Sequence, residues 1–252
     1  MSRDHDLRFR QTDRSVAKNK SFFGKHRDEY DKNVQELDTY KAIRGSINET
    51  LPGIDRLLDI GNGGVFDYET NIVGSIVALD LFFNDLPASF TYPSNVTLRT
   101  GSALSIPEPN ESFDGVLIAM LVHHLVGRTV KESINNIHCA VREAFRVLRP
   151  GGRLIIIESC VPRWFFLFES LLFPLAAPLI NVLLRHPATL QYPTSLIARI
   201  VEQFSSSVEN LRIPKGRYIL QFGYKFPSII TPASPYRFVA HKSNPSQAVE
   251  GG

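Results

Sequence analysis

Residues 57–64 of this chain read LLDIGNGG, an apolar strand followed directly by a turn with three glycines. Glycine adopts positive φ without strain and lets a ligand approach the backbone closely. A second apolar run, Ser75 to Leu79, ends at Asp80, about 20 residues after Gly61, the interval at which an acid can accept hydrogen bonds from a ribose. The pattern therefore predicts a nucleotide-like ligand at the ends of two strands.

Around this stretch the sequence is typical of a parallel sheet. Runs rich in Ile, Leu and Val indicate strands buried on both faces, and they occur at Ile54–Ile60, Ser75–Leu79, Val96–Arg99, Phe113–Ala119 and Arg153–Glu158. Helical periodicity at Asn33–Leu51 and again from Ile134 to Leu148 adds helices between or before the strands. This order predicts a doubly wound α/β sheet, in which ligands bind beyond the carboxyl ends of the strands.

The C-terminal part predicts an antiparallel addition to that sheet. Arg217–Phe226 and Pro235–His241 are rich in Tyr, Phe, Val and Ile, and we expect them to pair with each other and close one edge. A helix is predicted over Thr194–Phe204, with Thr194 or Ser195 as its cap.

Composition limits the class of protein. The chain has 252 residues, 43% of them hydrophobic, and a net charge of +3. This length and composition predict a single globular domain over residues 1–252. Because it has only two cysteines, a scaffold stabilised by several disulfides is excluded. We expect free thiols, no metal site, a cytoplasmic location and no nucleic-acid partner, since the small basic surplus lies in the N-terminal arm. Residues 1–21 and 243–252 are expected to be flexible.

A dinucleotide cofactor is disfavoured by one residue of the turn. The fingerprint of such sites needs a third glycine at position 66 for close packing of helix against strand, but Phe66 stands there. NAD binding is thus the minor alternative.

Five stretches, taken in order, resemble the motifs of the class I S-adenosylmethionine-dependent methyltransferases. They are residues 58–63 (LDIGNG), Asp80, residues 101–103 (GSA), residues 112–117 (SFDGVL) and residues 146–154 (RVLRPGGRL). The resemblance implies a Rossmann-like, doubly wound seven-stranded sheet with a reversed last strand. Two positions depart from it: Val65 replaces the usual last glycine of the first motif, and Ser102 replaces the usual acid near the adenine.

The resemblance also implies where S-adenosylmethionine lies. Gly61 and Gly63 would pass under its methionine part, Asp80 would hold the ribose, Leu81 would pack against adenine, and Met120 would offer a carbonyl to the ammonium group. The remaining implied cofactor residues are Tyr30, Asp59, Asn62, Ser102 and Ala103. Phe23 or Tyr30, in an opening helix, would cover the sulfonium or pack that helix onto the sheet.

His123 and His124 follow the fourth strand and are the candidate catalytic residues, because histidine exchanges protons near neutral pH. The alternative is that they only begin a helix. Since adjacent side chains of a helix do not face each other, at most one of the two is expected to point at the substrate.

The least polar stretch of the chain follows the fifth strand. Within an insertion over residues 160–193 we predict an apolar lid that includes Trp164, Phe165, Phe168 and Leu172 as substrate-binding residues. Phe166, Leu171, Phe173 and Leu175 are expected to contribute to the same lid. Glu169 interrupts the run and Pro174 and Pro178 break its helical ladder, so a membrane span is disfavoured. Ordinary core, a dimer interface or shallow contact with an anionic membrane are the other interpretations.

These features together predict methyl transfer to a small, largely apolar acceptor, with oxygen favoured over carbon. The alternatives are a quinone-type C-methyltransferase and a catalytically inactive scaffold that binds the cofactor.

Overall fold

The computed structural model describes residues 37–83, 90–183, 189–221 and 224–244. The helices are α1 (Asp38–Asn48), α2 (Val130–Val147), α3 (Arg163–Leu183) and α4 (Thr194–Val201), and single 3-10 turns lie at Thr70–Ile72 and Val122–His124. The strands are β1 (Arg56–Ile60), β2 (Ser75–Asp80), β3 (Val96–Thr100), β4 (Phe113–Ala119), β5 (Leu148–Cys160), β6 (Val208–Arg212), β7 (Tyr218–Gln221), β8 (Tyr224–Pro227) and β9 (Ser234–His241).

Seven strands form the main sheet in the order β3-β2-β1-β4-β5-β9-β6. The first five are parallel, and β9 runs antiparallel to both of its neighbours. The predicted seven-stranded sheet with a reversed last strand is therefore confirmed. Because the chain leaves β1 toward β3 and later returns to β4 on the other side, the strand order reverses between β1 and β4, where such sheets bind ligands.

Both faces of the sheet are covered, which explains the continuous apolar strands. One face packs against α2 and α4 through residues such as Ile137, Phe145 and Ile200. The other packs against α1 through Tyr40, Ile43 and Ile47. The crossover from β1 to β2 contains only the 3-10 turn at Thr70–Ile72, so no α-helix follows the glycine turn.

The expected pairing of Arg217–Phe226 with Pro235–His241 is wrong. Strand β9 has two edges, and β5 occupies one while β6 occupies the other, which leaves no edge free. Strands β7 and β8 instead pair with each other in a separate two-stranded sheet.

Two expectations about helices are also wrong. Helix α3 continues through Pro174 and Pro178 to Leu183, since a proline removes one backbone donor and a helix can continue past it with a kink. At α4 the cap residue is Pro193, whose backbone is extended and whose side chain makes no cap bond, so Thr194 already lies in the first turn. Among the described residues no helix meets the length and hydropathy needed to cross a membrane.

Candidate active site

The glycine turn after β1 depends on left-handed backbone at three positions. Gly61, Gly63 and Gly64 have φ values of 74°, 61° and 82°. A Cβ on Gly61 would lie 2.7 Å from both terminal methyl carbons of Leu121. A side chain at this position is therefore excluded both by its positive φ and by this clash. A Cβ on Gly63 would meet no atom within 4 Å. The turn is therefore closed at Gly61 and open at Gly63.

The side chains of Asp59 and Asn62 stabilise the turn through hydrogen bonds within it. The amide nitrogen of Asn62 donates to the carboxylate of Asp59 and to the Val65 carbonyl, and its oxygen accepts the Gly64 N–H at 2.9 Å. The Tyr68 hydroxyl donates to the same Asp59 oxygen at 2.8 Å. Burial raises the pKa of Asp59 to about 7, although both hydrogen bonds oppose the shift. Both side chains thus make contacts within the turn.

Asp80 connects the glycine turn to the end of β2. Its Oδ2 accepts the Gly63 N–H and its Oδ1 accepts the Phe82 N–H, each at 3.0 Å. Burial raises the pKa of Asp80, and backbone hydrogen bonds partly offset this. Each carboxylate oxygen has two lone pairs, so this carboxylate can still accept hydrogen bonds from a ligand.

The neighbouring residues at the ends of β2 and β3 lie beside Asp80. The Gly101 N–H donates to the Asp80 carbonyl at 3.0 Å, which places residues 101–103 next to that strand end. The Ser102 hydroxyl accepts the Leu104 N–H at 3.1 Å, and Ala103 packs against the larger core. Leu81 is half-buried. This group borders the carboxylate on the side of β3.

Met120 turns the chain at the end of β4. Its φ is 52°, which is uncommon for a residue with a side chain, and its N–H donates to the Ile157 carbonyl at 2.8 Å. Such strained backbone costs roughly 1–3 kcal/mol and concentrates at functional sites. The turn brings the next residue, Leu121, over Gly61 and joins β4 to the glycine turn.

His123 lies just beyond this turn and contacts a buried carboxylate of β5. Its Nδ1 lies 2.8 Å from Oε1 of Glu158, whose side chain is completely buried. The ring centroids of His123 and His124 are 4.1 Å apart. The expectation that these neighbours do not face each other is wrong, because Val122–His124 is one isolated 3-10 turn to which α-helical spacing does not apply.

Helix α3 presents two different faces. Trp164, Leu167, Phe168 and Leu171 are 57–76% exposed and repeat at three- and four-residue spacing, so they form one outer stripe. On the inner face the Phe166 ring lies 5.8 Å from the Tyr192 ring, and Phe173 is 5% exposed.

The four lid residues that were predicted to bind substrate differ in their exposure. Trp164 and Phe168 lie on the outer stripe, Leu172 is 38% exposed, and Phe165 is half-buried. Glu169 extends inward and accepts the Gln191 N–H at 3.2 Å, and burial raises its pKa to about 7. The helix thus brings a carboxyl group, together with aromatic rings, toward the body of the domain.

Four residues of this region were missed by the sequence reasoning as site residues. Tyr68, Leu121, Glu158 and Glu169 all contact predicted site residues or lie near them. Glu158 carried a readable signal, since a carboxylate directly after three isoleucines in a buried strand requires a partner. Phe23 and Tyr30 lie outside the described residues.

Residues 58–156 match the family model described as a methyltransferase domain. A ubiquinone/menaquinone biosynthesis C-methyltransferase, UbiE, of Geotalea daltonii is 32% identical over 84 residues, which are 33% of this chain and 32% of that protein. The matched part of the chain thus spans about a third of that relative's length.

Two solved structures share the fold. An S-adenosylmethionine-dependent methyltransferase from Thermotoga maritima superposes with a TM-score of 0.57 at 16% identity, covering 88% of this chain and 99% of that one. The [4+2]-cyclase SpnF superposes with a TM-score of 0.52 at 15% identity, covering 80% of each chain. At these identities the likeness concerns the fold, and the cyclase illustrates that one fold serves different reactions.

The order of the strands is that of the Rossmann-like methyltransferase fold, and the part of the chain that carries the glycine turn, residues 58–156, matches the methyltransferase domain model.

Proposed function

We propose that the protein transfers a methyl group from S-adenosylmethionine to a small, largely apolar acceptor, by O-methylation. The observation that carries this proposal is the junction of the glycine turn with Asp80. There the Gly63 N–H meets the carboxylate, while the Cβ position of Gly63 faces open space. A cofactor that needs both close backbone approach and a carboxylate for its ribose fits this junction.

The residues around the junction suit the rest of the cofactor. Leu81, Ser102 and Ala103 border Asp80 and would contact the adenine, although the Ser102 hydroxyl already accepts a backbone N–H. The Met120 carbonyl, at the strained end of β4, would accept from the ammonium group. Asp59 and Asn62 would act indirectly, because their side chains hold the turn itself. The bound cofactor supplies the methyl group on an activated sulfonium.

The acceptor would bind between the His123 region and the inner face of α3. The Leu190 N–H donates to the His123 carbonyl at 3.1 Å, and the adjacent Gln191 N–H donates to Glu169. One continuous wall therefore links the histidine turn, residues 189–192 and the helix. Its aromatic members, Phe166 and Tyr192, favour an apolar acceptor over a highly charged one.

The second candidate is C-methylation of a quinone-type acceptor, and the relatives favour it. The Geotalea daltonii protein named above carries that activity in its name. Chemical identification of the methylated product distinguishes carbon from oxygen directly.

The outer stripe of α3 is suited to contact a membrane, from which a lipid-soluble acceptor would reach the site. Four large apolar side chains point outward on a helix that starts at the exposed Arg163. A cationic side chain beside an apolar stripe suits shallow contact with an anionic membrane surface. The alternative is that the same stripe forms a homodimer interface. Sedimentation of the purified protein distinguishes a dimer from a monomer that contacts the membrane.

Calorimetric titration with S-adenosylmethionine tests the cofactor site. We expect Asp80→Asn to weaken affinity about tenfold or more, since one charge-assisted contact to a ribose hydroxyl is lost. Gly63→Ala should weaken it as well, because the added methyl group fills the open space over the turn.

The matched control is Asp55→Asn, an exposed residue beside the amino end of β1. Unchanged affinity in Asp80→Asn would contradict the placement of the ribose. Binding without methyl transfer to any compound of a cell extract would favour an inactive scaffold.

A further inference from the structure

Glu158 holds His123 through both its ring and its backbone. Besides the contact between Oε1 and Nδ1 at 2.8 Å, Oε2 accepts the His123 backbone N–H at 3.2 Å. The Ser159 N–H also donates to Oε1, at 2.7 Å. A completely buried carboxylate is stable only when donors surround it, and these three N–H groups fulfil that need.

This arrangement fixes which nitrogen of His123 can take up a proton. Since Nδ1 donates to Glu158, the neutral ring has its lone pair on Nε2. The His123 side chain is 17% exposed. Because Glu158 itself is inaccessible, the exposed part of the ring lies away from that carboxylate.

Other ionisable groups lie near His123. Glu169, on α3, interacts electrostatically with it. Tyr192, from the segment beside α3, lies close enough to both carboxyl groups to be affected by their charges. His124 lies on the same turn, with its ring centroid 4.1 Å from that of His123.

We propose that His123, positioned by Glu158, is the base that removes the acceptor's proton, and that the methylated atom is a hydroxyl oxygen. This inference rests on the proposed function. The O–H bond breaks as its proton moves to Nε2; the oxygen bonds to the methyl carbon while the electron pair of the carbon–sulfur bond stays on sulfur. Glu158 contacts His123 and not the substrate, so it is a positioning residue. An acceptor of this kind is a phenol or hydroquinone, whose proton an imidazole can accept.

Nitrogen-15 NMR of the histidine rings tests the pairing without any acceptor. We expect His123, assigned by comparison with His123→Asn, to carry its hydrogen on Nδ1 at pH above neutrality. In Glu158→Gln this preference should be lost, whereas His241→Asn, at the exposed end of β9, should leave it intact. A hydrogen on Nε2 in the unaltered protein would overturn the proposal, and that measurement stands even if Glu158→Gln fails to fold.

Methyl transfer supplies the second measurement. The protein is incubated with methyl-labelled S-adenosylmethionine and a lipid extract of its source organism. His123→Asn should lower product formation about 10²- to 10⁴-fold with cofactor affinity retained, and the product should be an O-methyl ether. Retained activity in His123→Asn, or a C-methyl product, would overturn the inference. Absence of cofactor binding to the unaltered protein would instead refute the proposed function, and the NMR result would still decide the pairing.

Discussion

The two halves of the candidate site are built by contacts of different range. In the glycine turn, Asn62 bonds to Asp59 three residues away, and Tyr68 bonds to the same carboxylate nine residues away. In the half that we propose to bind the acceptor, His123 bonds to Glu158 across 35 residues, and Gln191 bonds to Glu169 across 22. The first half is therefore a local structure that a short motif specifies, whereas the second exists only after β4, β5 and α3 have packed together.

The halves also differ in how tightly they are closed. The turn has no room for a methyl group at Gly61, and Asp59 below it is 2% exposed. Helix α3, by contrast, exposes more than half of Trp164, Leu167, Phe168 and Leu171. Substitutions in the turn should accordingly cost stability, while those on the outer stripe should change interactions with other molecules.

The largest effect is expected for Gly61→Ala. The added Cβ clashes with Leu121, and the backbone keeps a positive φ that a residue with a side chain rarely adopts. Together, overpacking and backbone strain should lower the free energy of unfolding by about 2–5 kcal/mol. Denaturant unfolding measures this loss. Gly45→Ala is the control, since its Cβ meets nothing within 4 Å in helix α1 and it should stabilise by about 0.5–1 kcal/mol.

A double variant identifies the cause of that loss. Leu121→Ala combined with Gly61→Ala removes the clash but not the strained φ, so part of the stability should return. If Gly61→Ala is as stable as Gly45→Ala, the glycine turn is not the more tightly closed half of this site.

An intermediate effect is expected for Asp59→Asn, seen in the pH dependence of stability. The pKa of Asp59 is about 7 in the folded protein and about 4 in the unfolded chain. Its favourable contribution is therefore fully present below about pH 4 and is lost as the pH rises through 7. We expect unfolding free energy to fall by roughly 1–4 kcal/mol between about pH 5 and about pH 8, and less in the variant.

Glu169→Gln provides the matched comparison from the other half. The pKa of Glu169 is also about 7, so Glu169 adds its own contribution to the fall of the unfolding free energy with pH. The variant should remove that contribution and leave the one of Asp59. Identical slopes in Asp59→Asn and the unaltered protein would mean that Asp59 is already solvated in the folded state.

The smallest effect on stability is expected on the outer stripe. Leu171 is 76% exposed, so Leu171→Ser should change unfolding free energy by no more than about 0.5 kcal/mol. Its binding to vesicles that contain anionic lipid should nevertheless fall, as measured by co-sedimentation. Phe173→Ser, on the inner face, is the contrast and should cost about 3–5 kcal/mol because Phe173 is 5% exposed. Equal vesicle binding by Leu171→Ser would rule out the stripe as a membrane contact.

The sequence predicted those parts of the molecule whose causes are local. Runs of β-branched and apolar residues fixed the first five strands to within a few residues, apart from the extended beginning of β5, and the glycine spacing located the turn. The pairing of β9 with β6 was not predicted, because the sequence of β6, VENLR, contains no apolar run and four of its five residues are exposed, so only packing decides which strand lies beside β9.

The same division holds for the site. Gly61 and Asp80 were identifiable from their spacing and Asp59 from the resemblance of its motif, since the period of the strands places these residues wherever the sheet forms. The partnership of His123 with Glu158 was not, because it joins the ends of two strands through a register set by the whole sheet. Which face of α3 turns inward was likewise decided by tertiary packing, since an almost uniformly apolar helix carries no polar face to orient it.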